Sequence, residues 1–440
     1  MMWWMYAIIA VVSYVFITVL LCRRYPEKHL DWDSIPLENL NFPDDFSWGV
    51  ATASHQIEGN NHNNWSEFEK KKGMEQSGVA CDHWNNWKTD FDLLEELGVS
   101  HYRFSIEWSR IEPEEGEWRG DAVAQYSAMV DDLLSRNIEP MVTLHHFSHP
   151  IWFEQKGGFL NKENIPYWVN YCARIFEVLC DRVNNWCTIN EPEVFSIMGY
   201  HMKLFPPGKG SIPKTIRVMT NVMRAHTSAY HSLKKIKPEA KIGLAKNVTI
   251  FDPLRRWNLV HWLTTFILNH IWNGAIISAL TKGRMFGRRI PNAKGSLDYI
   301  GLNYYTHALV SPFTPQTIEV DLPKREHEIM TEFGYPMYAE GLERSAKLLQ
   351  HLKVPIEITE NGVADSEDKL RPEHMKRHLW IISKLISKGH DIRSYYHWSL
   401  MDNFEWAEGY SLRFGLYHVD YETQVRTLRK SGELYQSIIK

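Results

Sequence analysis

Two glutamates stand where bond-breaking chemistry could be done. Glu191 closes the apolar run in TINEP and Glu360 closes the one in ITENG, each beside an asparagine, Asn190 before the first and Asn361 after the second. Two carboxyls facing each other across a pocket are what glycosidic bond cleavage needs. One must be protonated, to give its proton to the leaving oxygen; the other must be ionised, to attack or to activate water. Their surroundings must then push the two pKa values apart. The plainer reading is that both are exposed acids at loop starts, capping the helices that follow. Arg103, in YRFSIEW, lies in a run of strand formers. A buried guanidinium requires a carboxylate partner. Across a pocket that partner would be Glu360, kept ionised by the charge beside it; a structural ion pair without a chemical part is the other reading.

The elements that must position these side chains recur along the chain. Short β-rich runs occupy 47–54, 100–108, 139–147, 185–192, 241–247, 298–305, 355–362 and 392–400, and a helix-compatible stretch follows each. Phe91, Leu94 and Leu97 recur at three-residue spacing, for example, and Gly98 stops that helix. Eight strand–helix repeats predict a single α/β domain, a closed (β/α)8 TIM barrel. Glu191 and Glu360 end runs four and seven, which face each other across such a barrel. Polar and aromatic residues collect at the C-terminal ends of the runs: His145, His146, Asn190, Asn303, Tyr305 and Trp398. Barrel active sites form on that rim.

Composition fits this and narrows it. With 440 residues, 44% hydrophobic and 23% charged, the chain is globular rather than disordered or low-complexity. A net charge of −4 offers no basic field for nucleic acid. Five cysteines in so long a chain make no disulfide scaffold. His145, His146 and His149 sit in HHxxH at a strand end, a spacing that does not put three metal ligands on one face, so no metal or cofactor is expected. There are 18 tryptophans, which serve either as core filler or as flat platforms for a ligand.

The N-terminus is a separate case. Met1–Cys22 carries no charge, and at 1.5 Å per residue it would extend about 33 Å, enough to cross a bilayer. Trp3, Trp4 and Tyr6 lie at one end, where an interfacial belt belongs, and Arg23, Arg24 and Lys28 follow the other. A single-pass anchor over 1–22 is expected, then a linker over 23–40 and the barrel over 41–440. A cleaved signal would want basic residues before the apolar run and small residues after it; it and a buried helix are the remaining readings. The basic residues after the span would keep the catalytic domain cytoplasmic. Two sequons, at Asn64 and Asn247, would matter only in a lumenal body.

Taken together, FPDDFSWGVATASHQIEG, YRFSIEWSRIEP, TLHHFSHP, TINEP, GLNYYT, PIEITENG and HWSLMDNFEWAEGYSLRFGLYHVDY resemble glycoside hydrolase family 1, the retaining β-glucosidase and β-galactosidase family. The resemblance covers nearly all of 41–440. It implies Glu191 as acid/base and Glu360 as nucleophile of a double displacement, with carboxyls about 5–5.5 Å apart. It implies that Gln56, His146, Asn190, Glu405 and Trp406 grip the glycone hydroxyls and that Trp398 is the stacking platform. Asn303 and Tyr305 would lie beside the nucleophile, and Arg103 would support it. Glu405 would repel a phosphate, so the resemblance implies a neutral β-glucoside, galactoside or fucoside. A transglycosylase with the same site, or an inactive sugar-binding protein, are the competing functions. Phe147 stands where the family usually has Trp, removing an indole donor near the glycone. The connection from Thr306 to Pro355 is short for the family, which should open the aglycone side. An anchored member invites a glycolipid substrate.

Overall fold

The computed structural model describes residues 2–314 and 321–440; Met1, the first residue of the expected span, lies outside them. Eight strands form the body: β1 (Ser47–Ala51), β2 (His101–Ser105), β3 (Glu139–Thr143), β4 (Asn185–Asn190), β5 (Lys241–Asn247), β6 (Tyr299–Asn303), β7 (Ile356–Asn361) and β8 (Ile392–Trp398). They close into a barrel in that order, β8 returning to β1, and every neighbouring pair is parallel. The eight β-rich runs of the sequence are these eight strands. Beyond α1 (Met2–Arg24), one helix of the outer layer follows each strand: α2 (His83–Leu97), α3 (Gly120–Ser135), α4 (Ile165–Leu179), α5 (Ile212–Ile236), α6 (Leu259–Asn269), α7 (Gly341–Leu349), α8 (Arg371–Ser387) and α9 (Lys430–Ile439). The helices bury one apolar stripe each, as Phe91, Leu94 and Leu97 of α2 show.

The barrel interior is packed with aromatic side chains where opposing positions are glycine. A Cβ on Gly243 would come 2.7 Å from the ring of Tyr299, far inside van der Waals contact. Strand register then sets the rim. Asn247, Asn303 and Glu360 fall opposite one another on β5, β6 and β7, and Arg103 and Trp398 both fall opposite Ala51. The pairing slips on β4 between Cys187 and Asn190, and on β7 between Glu357 and Glu360. Both irregularities lie immediately before the two glutamates, and such slips re-aim side chains at barrel rims.

Helix α1 runs one further half-turn than the apolar run, to Arg24, and its sides are largely exposed. The stretch after it, read as a linker, is tied to the barrel. Glu27 accepts from Arg325 at 2.7 and 2.8 Å and from Arg256 at 3.3 Å; Lys28 pairs with Glu343 at 2.8 Å, and the Leu30 N–H donates to Glu340 at 2.8 Å. Behind Glu27, Asp252 pairs with Arg344 and with His307, which also meets Glu328 at 2.8 Å. Burial raises the Glu27 carboxyl, but hydrogen bonds from His29 and Arg325 outweigh it and hold the group far below the usual carboxylate range. Burial likewise opposes charge on His307, and Asp252 and Glu328 override it, bringing that group up to about 9.

The signs fix a pH window. Stability from Glu27 is present above its unfolded value, about 4.3, and is lost as pH falls through the folded one; stability from His307 is present below its unfolded value, about 6.5, and is lost as pH rises through the folded one. The tether should therefore be tightest between about pH 5 and 6.5. Glu27→Ala removes the carboxylate from two guanidinium groups, a loss of about 2 kcal/mol. Tryptic cleavage after Arg23 and Arg24 should accelerate about 30-fold, with aryl glycoside turnover unchanged. An unchanged cleavage rate would show that these contacts do not hold the segment.

Candidate active site

Glu191 follows β4 with φ 44° and ψ 67°, a left-handed conformation that costs a non-glycine residue about 1 kcal/mol. It precedes the short helix Pro192–Ile197, yet its side chain makes no capping hydrogen bond to that helix. The plainer reading of an exposed capping acid therefore fails for it. The carboxyl turns inward and is buried; its Oε1 accepts from Asn303 Nδ2 at 2.8 Å and from Asn247 Nδ2 at 3.1 Å. Glu360, near the end of β7, is also buried. Its Oε1 accepts from Arg103 Nη1 at 2.5 Å and its Oε2 from the Tyr305 hydroxyl at 2.7 Å. Arg103 reaches it from inside the barrel, donating also to Asn190 Oδ1 at 2.7 Å and to the Thr359 carbonyl at 3.1 Å.

The two carboxyls therefore differ in their partners. Glu191 meets neutral amides, whereas Glu360 meets a guanidinium and a phenol. Burial, and after it the charge of Glu360, push Glu191 up to about 8, with only Asn303 and Asn247 pulling back. Burial also raises Glu360, but Arg103 and Tyr305 act against it. When the pair holds one proton, a cation 2.5 Å from Glu360 places that proton on Glu191.

Neighbouring groups are fixed by the same network. Asn190 Oδ1 accepts from Arg103 and from Asn303. Its Nδ2 must therefore be the donor toward His146 Nε2, 3.0 Å away, which leaves the ring proton on Nδ1. Burial first, and then Arg103, hold His146 well below its ordinary range and so neutral. His146 lies between Trp398 and Trp406, its ring centroid 5.8 and 5.9 Å from theirs. Gln56 donates to Asn403, the Phe404 carbonyl and Glu405, the last at 3.3 Å. His146 Nδ1 and Gln56 Oε1 are buried with no protein partner.

These residues surround one pocket of about 320 Å³. Glu191, Glu360, His146, Asn190, Tyr305, Trp398, Glu405 and Trp406 line it, while Arg103, Asn303 and Gln56 stand behind and orient the lining groups. Phe147 is on the wall, edge-on to Trp406 at 5.1 Å. Further out the wall turns apolar, with Met198, Phe205, Phe251, Trp272 and Val310. The short 307–354 connection adds Leu322, Phe333 and Tyr335 to this wall. His145 is buried against Phe159, Trp168 and Phe195, away from the pocket.

Asn247 stands out in the sequence only as a sequon and not as a site residue, although it ends the fifth run as Asn190 and Asn303 end the fourth and sixth. Beside it, buried Lys246 pairs with buried Glu193 at 3.1 Å and also donates to the carbonyls of Asn247 and Trp272. A lysine in an apolar run carries no local sign of such a partner. Asn247, turned to Glu191, and Asn64, buried, are the two sequon asparagines. Because Asn247 stabilises the ionised form of Glu191, Asn247→Ala should move the basic limb of the kcat/KM profile to higher pH, by about half a unit to one unit. A limb that stays put or moves down would remove Asn247 from the proton balance.

A parallel barrel that sets a proton-bearing carboxyl and a cation-paired one in an aromatic-walled pocket is the frame of a glycosidase. Residues 38–440 match the glycosyl hydrolase family 1 profile. The chain is 35% identical to beta-glucosidase A of Thermotoga maritima, over 91% of this chain and 98% of that one. Among solved structures, a beta-glycosidase from Pyrococcus horikoshii is 38% identical with a TM-score of 0.84, covering 91% of this chain and 95% of that one. The Thermotoga maritima beta-glucosidase in complex with glucoimidazole is 33% identical with a TM-score of 0.85, covering 90% and 98%. The chain belongs to glycosyl hydrolase family 1.

Proposed function

We propose that this protein is a retaining β-glucosidase-type hydrolase acting on the terminal non-reducing residue of a neutral β-glycoside. Glu360 attacks the anomeric carbon while Glu191 gives its proton to the glycosidic oxygen, and the aglycone leaves. Glu191, now ionised, takes a proton from water; the water oxygen bonds to the anomeric carbon and releases Glu360. Two inversions return the β-anomer. His146, Asn190, Glu405 and Trp406 serve the glycone hydroxyls, with Gln56 holding Glu405 from behind, and Trp398 serves the C–H face. The observation that carries this reading is the unequal pairing of the two glutamates, a guanidinium at 2.5 Å on Glu360 against amides alone on Glu191. Burial, and after it the charge of Glu360, push Glu405 at the wall up to about 8, and an acid in that place gives a phosphate no cation to meet, which disfavours a phosphorylated sugar. A panel of aryl β-glucosides, galactosides and fucosides, followed by NMR for the first-formed anomer, tests both parts. The β-anomer is expected first; the α-anomer first would end the double-displacement reading.

Residues 1–22 are read as the single-pass anchor, 23–40 as the segment joining it to the barrel and 41–440 as the catalytic domain. The exposed, uncharged surface of α1 up to Cys22 supports the anchor. Arg23 and Arg24 at its end favour a cytoplasmic body, and unpaired cysteines at 22, 81, 172, 180 and 187 suit a reducing compartment. The apolar outer wall of the pocket suits a lipid-like aglycone. Full-length protein should stay with membranes through an alkaline carbonate wash; release into the supernatant would end the anchor reading.

A further inference from the structure

Helix α6 carries apolar residues on the side that should be polar. Trp257, just before it, is 62% exposed, and Val260, Leu263 and Ile267 are 56%, 59% and 49% exposed, while His261, Trp262 and Thr265 are buried. A helix apolar on both faces belongs against protein or lipid on both. The segment leading into α6 adjoins α1, and Tyr25, just after α1, meets α6 itself. The Tyr14 hydroxyl donates to the Trp257 carbonyl at 2.7 Å, Cys22 Sγ lies 3.6 Å from the Arg256 carbonyl, and the Tyr25 ring meets Phe266 edge-on at 5.3 Å. Tyr14 is ten residues before Arg24, about 15 Å along the helix axis. With Arg24 at the headgroups, Tyr14 lies about half-way through a hydrocarbon core some 30 Å thick. Trp257, which touches Tyr14, is then carried below the water line together with the face of α6.

The same elements form the outer wall of the pocket. The strand Ile250–Pro253 leads into Trp257 and carries Phe251; α6 continues through a wide π turn to Trp272, whose indole N–H donates to Asn247 at 3.3 Å. The parallel partner strand His307–Val310 leaves the barrel at the same end and is followed by Phe313, which is 92% exposed. We propose that α6, with Trp257, is a second, monotopic contact with the bilayer crossed by α1. Through this contact the apolar wall of the pocket opens onto the lipid, and a β-glycoside whose aglycone stays in the membrane is taken directly from it. This rests on the anchor reading of α1.

The test uses the full-length protein in phosphatidylcholine–phosphatidylglycerol vesicles, wild type against the triple variant Val260→Glu, Leu263→Glu, Ile267→Glu. Cholesteryl β-D-glucoside in the same bilayer is the membrane-held substrate, and 4-nitrophenyl β-D-glucoside is the dissolved one. The variant should co-float with vesicles, keep aryl glucoside turnover within about twofold and lose at least tenfold on the sterol glucoside. A smaller single change, Leu263→Gln, should give an intermediate loss, so a misfolded triple variant does not decide the matter. Equal sterol glucoside turnover by wild type and both variants overturns the proposal while leaving the anchor intact. Wild type that fails to float overturns the anchor reading and this proposal together, whereas a floating wild type that cleaves neither glucoside overturns the β-glucosidase reading and the substrate part with it.

Discussion

Replacing Glu360 by Gln should lower kcat/KM for every aryl β-glucoside by on the order of 10⁵-fold, the largest effect of any single substitution. The amide keeps the shape of the side chain and accepts from Tyr305, but it cannot bond to the anomeric carbon. The loss should be independent of leaving group, because no glycosyl-enzyme forms. A second consequence separates chemistry from misfolding. The charge of Glu360 is, after burial, the chief influence raising Glu191 to about 8. Without that charge the Glu191 carboxyl should titrate at lower pH, which NMR of carboxyl-labelled glutamate can follow. Retention of more than about a tenth of wild-type activity would remove Glu360 from the nucleophile role.

Glu191→Gln should divide substrates instead of silencing them all. A phenol or alcohol aglycone needs a proton as it leaves, and losing a positioned acid costs on the order of 10²- to 10⁴-fold. A dinitrophenolate leaves without a proton, so its first step should be nearly unaffected. The second step loses its base for water, and the glycosyl-enzyme should accumulate after a burst. Azide, an anion that needs no base, should restore turnover and give the β-glycosyl azide. The basic limb near pH 8 should vanish, since its sign follows from Glu191: activity requires the protonated form and falls as pH rises through about 8. Equal losses for good and poor leaving groups would mean that Glu191 is not the acid.

Much of this was legible in the sequence because a barrel is built from local units. Each strand is specified by its own β-rich run and each helix by its own apolar spacing, so eight repeats already limit the topology. Polar residues at strand ends mark the rim for the same reason. Asn247 shares that signal with Asn190 and Asn303, but it also reads as an ordinary glycosylation sequon. The pairing of Lys246 with Glu193 was not legible: each is a charge in an apolar setting, and only the fold puts them 3.1 Å apart with neither exposed to water. The binding of 25–30 to the barrel was equally hidden, because polar residues without periodicity look alike whether solvated or paired. Of the 18 tryptophans, Trp398 and Trp406 lie in motifs that mark them as pocket residues, whereas Trp272 reaches the pocket only through the turn after α6.

The sequence by itself determined the strand–helix period, the two glutamates at the ends of strands four and seven, the arginine within a strand and the uncharged N-terminal run. These follow from residue type and spacing, which act over a few positions. What only the tertiary structure decided is which neighbours hold the two glutamates apart in charge, amides on Glu191 against a guanidinium and a phenol on Glu360, and that α6 presents an apolar outer face beside the N-terminal helix. Both depend on groups distant in sequence. Arg103 reaches Glu360 across 257 positions, and Tyr14 meets Trp257 across 243. Charge and burial act through space, and distance in space is fixed only when the barrel closes.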